Sequence, residues 1–211
     1  MVAGLTLAFR DAAVLPTRVP DFSRLLGPAA WQRLPAAVQR RFANHADAVA
    51  VYRGRMRVSA SRIGRMLAHV CRLIGTPVAP YEGSDVPVSV RVYDRPDKGG
   101  TVWERRYEFP GRAPTVVSST KQLDDDGGLV EALSAGLHMR LVVFEKAGVL
   151  HFVSTGYFFR IGRLRIALPD WFLPGTTHVV HEDRGSGEFR FALHTEHPRL
   201  GEMFHQDGIF T

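Results

Sequence analysis

The run His178-Val179-Val180-His181-Glu182-Asp183 sets four metal-capable side chains within six residues. On a strand His178 and His181 point to opposite faces, so they cannot share one ion as the i, i+4 pair of a helical zinc motif does. His178 and Glu182 share a face but stand ~13 Å apart at about 3.3 Å per residue. The segment therefore reads as a strand and not as a chelate. His194, His197 and His205 could meet across a hairpin, although nothing in their spacing separates them from scattered surface histidines. No metal site is expected.

Nucleophilic and phosphate chemistry find little support. Gly185-Ser186-Gly187 lacks the strand–helix context of a nucleophile elbow and reads as a turn. No glycine-rich phosphate loop or dinucleotide fingerprint occurs, so no cofactor is implied. Cys71 falls in a helical apolar stripe, where an inert thiol is the simpler reading. Acid–base chemistry is left to His151, Tyr107 and Glu104, with Glu145 as a further carboxylate. The spacing does not single out one of them.

Strands must position these groups. Residues 1–20 carry Pro16 and Pro20 without periodicity and read as an N-terminal arm, leaving 21–211 as a single domain. Phe22, Leu25, Leu26, Trp31, Leu34, Val38 and Phe42 recur at helical spacing and predict helices at 21–26 and 29–43. Ser61 caps a third helix at 62–74, with Ile63, Met66, Leu67, Val70, Cys71 and Ile74 as its apolar stripe and Gly75 with Pro77 as its stop. Period-two alternation starts near 48 and resumes at 86–93, 101–109, 115–123, 129–133, 137–145, 149–159, 164–168, 176–183, 188–197 and 202–210. Arg184-Gly185-Ser186-Gly187 is a tight hairpin signal. With no helical patterns between these strands, hairpins are expected rather than βαβ units.

The expected fold is mainly β (α+β). It is an antiparallel, lipocalin-like or calycin-like β-barrel or strongly curved sheet of about ten strands, since a flat sheet of that size leaves exposed edges. Two or three N-terminal helices would cover one end or face. Alternation puts Trp103, Arg105, Tyr107 and Phe109 on the inner face of their strand. In 149–159 both faces are apolar, one of them carrying His151, Val153, Thr155, Tyr157 and Phe159. A barrel of this size can hold a small ligand. The candidate lining is Tyr52, Trp103, Arg105, Tyr107, His151 and Tyr157, which would orient an apolar or aromatic small molecule. Trp171, in the apolar loop Asp170-Trp171-Phe172, serves as a lid, a contact for another domain or a membrane, or a plug over the barrel end. The same inner residues would equally serve a solid core.

The formal charge is +6, and of 27 Lys and Arg only Lys98, Lys121 and Lys146 are lysines. The arginines are spread along the chain with no basic tract interleaved with aromatics, so no nucleic-acid partner is expected. No apolar run reaches the ~20 residues of a transmembrane helix, and Met1 to Arg10 does not read as a signal peptide. A single cysteine permits no intrachain disulfide, and the expected location is cytoplasmic.

Several strings taken together resemble a known family. They are Tyr52-Arg53-Gly54-Arg55-Met56-Arg57-Val58, Gly75-Thr76-Pro77, Val86-Pro87-Val88-Ser89-Val90, Trp103-Glu104-Arg105-Arg106-Tyr107, Ser154-Thr155-Gly156-Tyr157-Phe158, Leu168-Pro169-Asp170-Trp171, Thr177-His178-Val179-Val180-His181-Glu182-Asp183, and His197-Pro198 before Gly201-Glu202. Over about 21–211 the chain resembles the bacterial family catalogued as domain of unknown function 4166. The resemblance implies a self-contained module that acts beside an NAD(P)-dependent oxidoreductase of the saccharopine dehydrogenase type, and it brings no catalytic residues. Three functions are thus expected in order: a ligand-binding barrel, a cofactor-independent isomerase or cyclase of secondary metabolism, and an interaction module for such an oxidoreductase.

Overall fold

A computed structural model describes residues 18–43, 48–75, 78–95, 99–162 and 164–211. The arm at 1–17, Pro77, the turn residues 96–98 and Arg163 lie outside them. Eleven strands follow a helical start: β1 Ala50–Ala60, β2 Gly83–Arg95, β3 Gly100–Tyr107, β4 Thr115–Leu123, β5 Leu129–Ser134, β6 Leu137–Lys146, β7 Val149–Ile161, β8 Leu164–Ala167, β9 Thr176–Gly185, β10 Glu188–His197 and β11 Gly201–Phe210. All pairings are antiparallel. The order β6-β5-β4-β3-β2-β1-β11-β10-β9-β7 closes through a β6–β7 pairing into a ten-stranded barrel, with β8 as an extra strand on β7. β7 is long enough to serve both: Leu150 to Val153 pair with β9, and Phe158 to Ile161 pair with β8. Closure removes the free edges that so many strands would otherwise expose.

The β9–β10 hairpin turns where the sequence signalled it. Ser186 and Gly187 both have positive φ, at 53° and 86°, the backbone of a type I′ turn.

The helical start forms three short helices, α1 Phe22–Leu26, α2 Pro28–Arg33 and α3 Ala36–Phe42. The expected 29–43 helix is split at Leu34-Pro35, because the residue before proline is pushed to extended backbone; Leu34 has ψ 140°. Asp21 caps α1 by accepting from the Ser23 and Arg24 backbone N–H groups. Together the three helices stop one barrel end, burying Phe22, Leu34, Val38, Arg41 and Phe42.

A fourth helix, α4 Arg62–Cys71, continues as a 3₁₀ turn Arg72–Ile74 and follows at the far end of β1. Here the expected apolar stripe is corrected. Met66 is 64% exposed, and Ile63 and Val70 are exposed as well, while Gly64 and Ala68 are the buried residues. The helix lies so close on β11 that a Cβ at Gly64 would stand 2.1 Å from the Met203 carbonyl oxygen. Gly64 and Ala68 fill the closest approach and Leu67 packs beside them against Met203 and Phe204, so proximity to the backbone keeps Ile63, Met66 and Val70 outside.

Candidate functional site

The barrel interior holds most of the residues expected to line a pocket. Val88, Val90 and Val92 on β2 lie opposite Tyr107, Arg105 and Trp103 on β3, and these in turn lie opposite Thr115, Val117 and Ser119 on β4. Lys121 pairs with Glu131 across β4–β5. These inward positions bring a charged group together inside an apolar wall. The Lys121 Nζ stands 3.1 Å from Glu131 Oε2, and Arg105 Nη2 stands 3.8 Å from Glu131 Oε1. Ser119 Oγ donates to Glu131 Oε1 at 2.5 Å.

Burial would push the Glu131 carboxyl up, but Lys121 and Arg105 outweigh it and hold the group below the usual carboxylate range. Burial pulls the Lys121 ammonium down. The Lys121 Nζ also lies over the Trp103 ring, 5.1 Å from its centroid.

The helical stopper reaches into the same space. Phe42 stacks on Trp103 with centroids 5.5 Å apart and meets His181 edge-on at 4.8 Å. The Arg41 guanidinium lies 3.6 Å from the Phe189 centroid and hydrogen-bonds Tyr52. Burial, followed by the charges of Arg41, Lys121 and Arg105, holds the His181 imidazole well below its ordinary value, so the ring is neutral. The cavity bounded by Tyr52, Trp103, Arg105, His181, Phe189 and Phe191 is about 20 Å³. That is room for roughly one water. Two buried nitrogens, Trp103 Nε1 and His181 Nδ1, make no hydrogen bond among the described residues.

Of the expected lining, Tyr52, Trp103 and Arg105 surround this space. Tyr107 and Tyr157 are also inside but are tied into the wall. The Tyr107 hydroxyl donates to Gln206 Oε1 at 2.9 Å, and the Tyr157 hydroxyl stands 3.1 Å from Thr177 Oγ1. Burial raises both phenols, which keeps them neutral.

His151 is not inside, a correction to the alternation reading. β7 is bulged where Arg140 pairs with Gly156 but Leu141 pairs with Ser154. The extra residue shifts the phase, so Leu150, Phe152 and Ser154 face in together with Tyr157, while His151 faces out. There it stacks on Phe144 at 5.0 Å and places Nδ1 3.0 Å from His178 Nε2.

Glu104 lies on the outer side of β3 beside Arg91 at 3.3 Å. The acid–base candidates His151, Tyr107 and Glu104 therefore sit on both sides of the wall and do not converge. Trp171 is 79% exposed in the 3₁₀ turn Asp170–Phe172, where Phe172 is exposed too; neither enters the interior. A wider, open groove of about 450 Å³ runs on the outer wall over Ser118, Thr120, Ala132, Ser134 and His138.

A family model described as Domain of unknown function (DUF4166) matches residues 34–210. The chain belongs to this family. The match spans the whole DUF4166 barrel and includes α3, whose Arg41 and Phe42 stop the barrel. No curated protein and no solved structure matches the chain.

Sequence reasoning missed Lys121, Glu131, Arg41 and His181 as interior polar groups of the DUF4166 barrel. Lys121 and Glu131 each sit at an inward position of an alternating strand, a signal that parity alone could have supplied. Arg41 enters from a helix, and no pattern within its own helix announces that. The described residues contain no helix long and apolar enough to cross a membrane.

Proposed function

We propose that this DUF4166 domain binds a small apolar or aromatic molecule bearing an acidic group, in the barrel interior behind the α1–α3 stopper. One observation carries the reading. The cations Arg105 and Lys121 share the carboxylate of Glu131, next to a Trp103 Nε1–H and a His181 Nδ1 that have no hydrogen-bond partner among the described residues. Buried charges and unmet polar groups are costly, and they concentrate where a ligand completes them. Arg105 and Lys121 supply the surplus positive charge that an anion offsets, and Tyr52, Phe189 and Phe191 supply apolar and ring surface.

A ligand of ordinary size needs ~300 Å³ or more, against the 20 Å³ present. Binding on this reading requires Phe42 and Arg41 to withdraw, a movement of one short helix and not of the barrel. The lone Cys71 fits a reducing, cytoplasmic setting.

Calorimetry with 1-naphthoate and with uncharged 1-naphthalenemethanol tests the reading. The acid is expected to bind at least tenfold more tightly, and Arg105→Met is expected to abolish the preference while the far-ultraviolet spectrum stays native. Failure of both probes to bind, or a preference that survives Arg105→Met with Lys121→Met, defeats it.

A second reading rests on the opposite kind of surface. Ile161, Leu164, Ile166, Trp171 and Phe172 are all exposed, on the β7–β8 hairpin and the turn that follows it. This apolar patch suits the docking of an oxidoreductase of the saccharopine dehydrogenase type, the partner that the family resemblance implies. Co-elution with such a domain should be lost in Trp171→Ser/Phe172→Ser; no co-elution of the wild type ends this reading.

A further inference from the structure

On the outer wall, four strands place histidines in one row. His151 on β7 touches His178 on β9, His178 lies opposite His194 on β10, and His194 lies opposite His205 on β11. The row ends at an unusual pairing. A bulge after Thr195 brings Glu196 opposite Glu202 across β10–β11. Like charges in that position destabilise a sheet, and among the described residues neither carboxylate meets an Arg or Lys. Among the described residues they face the imidazoles of His194 and His205.

The spacing is that of a chelate. Glu202 Oε2 stands 3.4 Å from His194 Nδ1 and 3.8 Å from His205 Nδ1. One donor atom from each of the three residues lies within 4.8 Å of the other two. Zinc bonds of about 2.0–2.1 Å in tetrahedral geometry separate neighbouring ligand atoms by ~3.4 Å, so side-chain rotation alone brings the set to bonding distance.

A second feature points the same way. The other nitrogen of His194, Nε2, faces Glu196 Oε2 at 3.5 Å. A histidine held between a metal and a carboxylate is the usual arrangement of a zinc ligand, because the carboxylate orients the ring and raises its basicity.

We propose that His194, Glu202 and His205 bind one divalent transition metal of the zinc class, with Glu196 orienting His194. Two imidazoles and one carboxylate select zinc, nickel or copper over calcium and magnesium, which take oxygen ligands. His194 and His205 are half-buried and Glu202 is exposed, so the fourth position faces solvent and takes water or an oxygen donor from outside. The proposal is independent of the interior ligand. Spacing along one strand rejected the metal reading for 178–183, whereas this set comes from two strands.

The test uses the full chain without an affinity tag, stripped by chelator, dialysed and titrated with zinc chloride by calorimetry. One equivalent is expected to bind, and cobalt is expected to give the visible bands of a tetrahedral site. Glu202→Gln and His205→Ala should each weaken zinc by at least about tenfold, Glu196→Gln by ~10-fold, and His151→Ala, further along the same wall, by less than about twofold. Circular dichroism checks that each variant is folded. No saturable zinc binding by the wild type, or stoichiometric binding retained by His194→Ala/His205→Ala, overturns the proposal.

Discussion

Inside the barrel the Lys121 ammonium lies 3.1 Å from the Glu131 carboxylate, directly opposite it across β4–β5. Both side chains are buried, and Arg105 adds a second cation at 3.8 Å. Such a group is seldom a net source of stability, since desolvating the charges costs about what their attraction returns. Breaking it is another matter.

Glu131→Gln leaves two cations facing a neutral amide. The expected loss is ~3–5 kcal/mol, or about 10 °C in melting temperature for a chain of this size. Replacing the whole group, as Arg105→Met/Lys121→Met/Glu131→Leu, should bring stability back to within about 1 kcal/mol of wild type or above it. Thermal and urea melts decide. A silent Glu131→Gln would mean that water, not protein, solvates these charges.

His181 sets a pH dependence. It is packed against Phe42, Trp103, Phe152, Phe189 and Phe191, and the charges around it are Arg41, Lys121 and Arg105. The unfolded chain takes up a proton near the ordinary histidine value of 6.5, while the folded ring stays neutral to well below it. The folded state therefore binds fewer protons, and stability present above pH 6.5 is lost as pH falls. Below about pH 6.5 wild type should therefore lose stability with falling pH more steeply than a variant without this imidazole. Comparing urea midpoints of wild type and His181→Phe across that range measures it. Equal slopes would show that His181 titrates normally.

Gly64→Ala pits two effects against each other. Alanine favours a helix by ~1 kcal/mol over glycine. The added Cβ, however, meets the Met203 carbonyl at 2.1 Å, which is backbone and cannot swing aside. Overpacking of this kind costs ~1–3 kcal/mol, so a net loss and faster hydrogen exchange in α4 are expected. A stabilised Gly64→Ala protein would refute the close approach of α4 to β11.

Phe42→Ala removes the ring that stacks on Trp103 and meets His181. Truncating a buried Phe costs ~3–5 kcal/mol. The same change enlarges the interior and spares a ligand the work of displacing the stopper. Naphthoate binding should thus strengthen by about tenfold or more as stability falls. If affinity falls along with stability, Phe42 grips the ligand instead of blocking it.

The residues alone determine a good deal of this molecule. Period-two alternation with turn chemistry places all eleven strands, and parity puts Trp103, Arg105 and Tyr107 inside. These are local properties, fixed by the pleat and by backbone preferences over a few residues.

Tertiary structure decided the rest. One bulge in β7 moved His151 to the outside while Tyr157 stayed in, because a single extra residue inverts every side chain beyond it. The close seat of α4 on β11 left Ile63, Met66 and Val70 of its apolar stripe in solvent, while Leu67 still packs on the core. His194, Glu202 and His205 come together because β10 and β11 pair in one register with a bulge after Thr195. His181 comes under Phe42 and among the charges of Arg41, Lys121 and Arg105 only once the sheet closes and the helices stop its end. Sites in this protein are made between strands and across the barrel, and strand pairing is a long-range choice that no single stretch of sequence encodes.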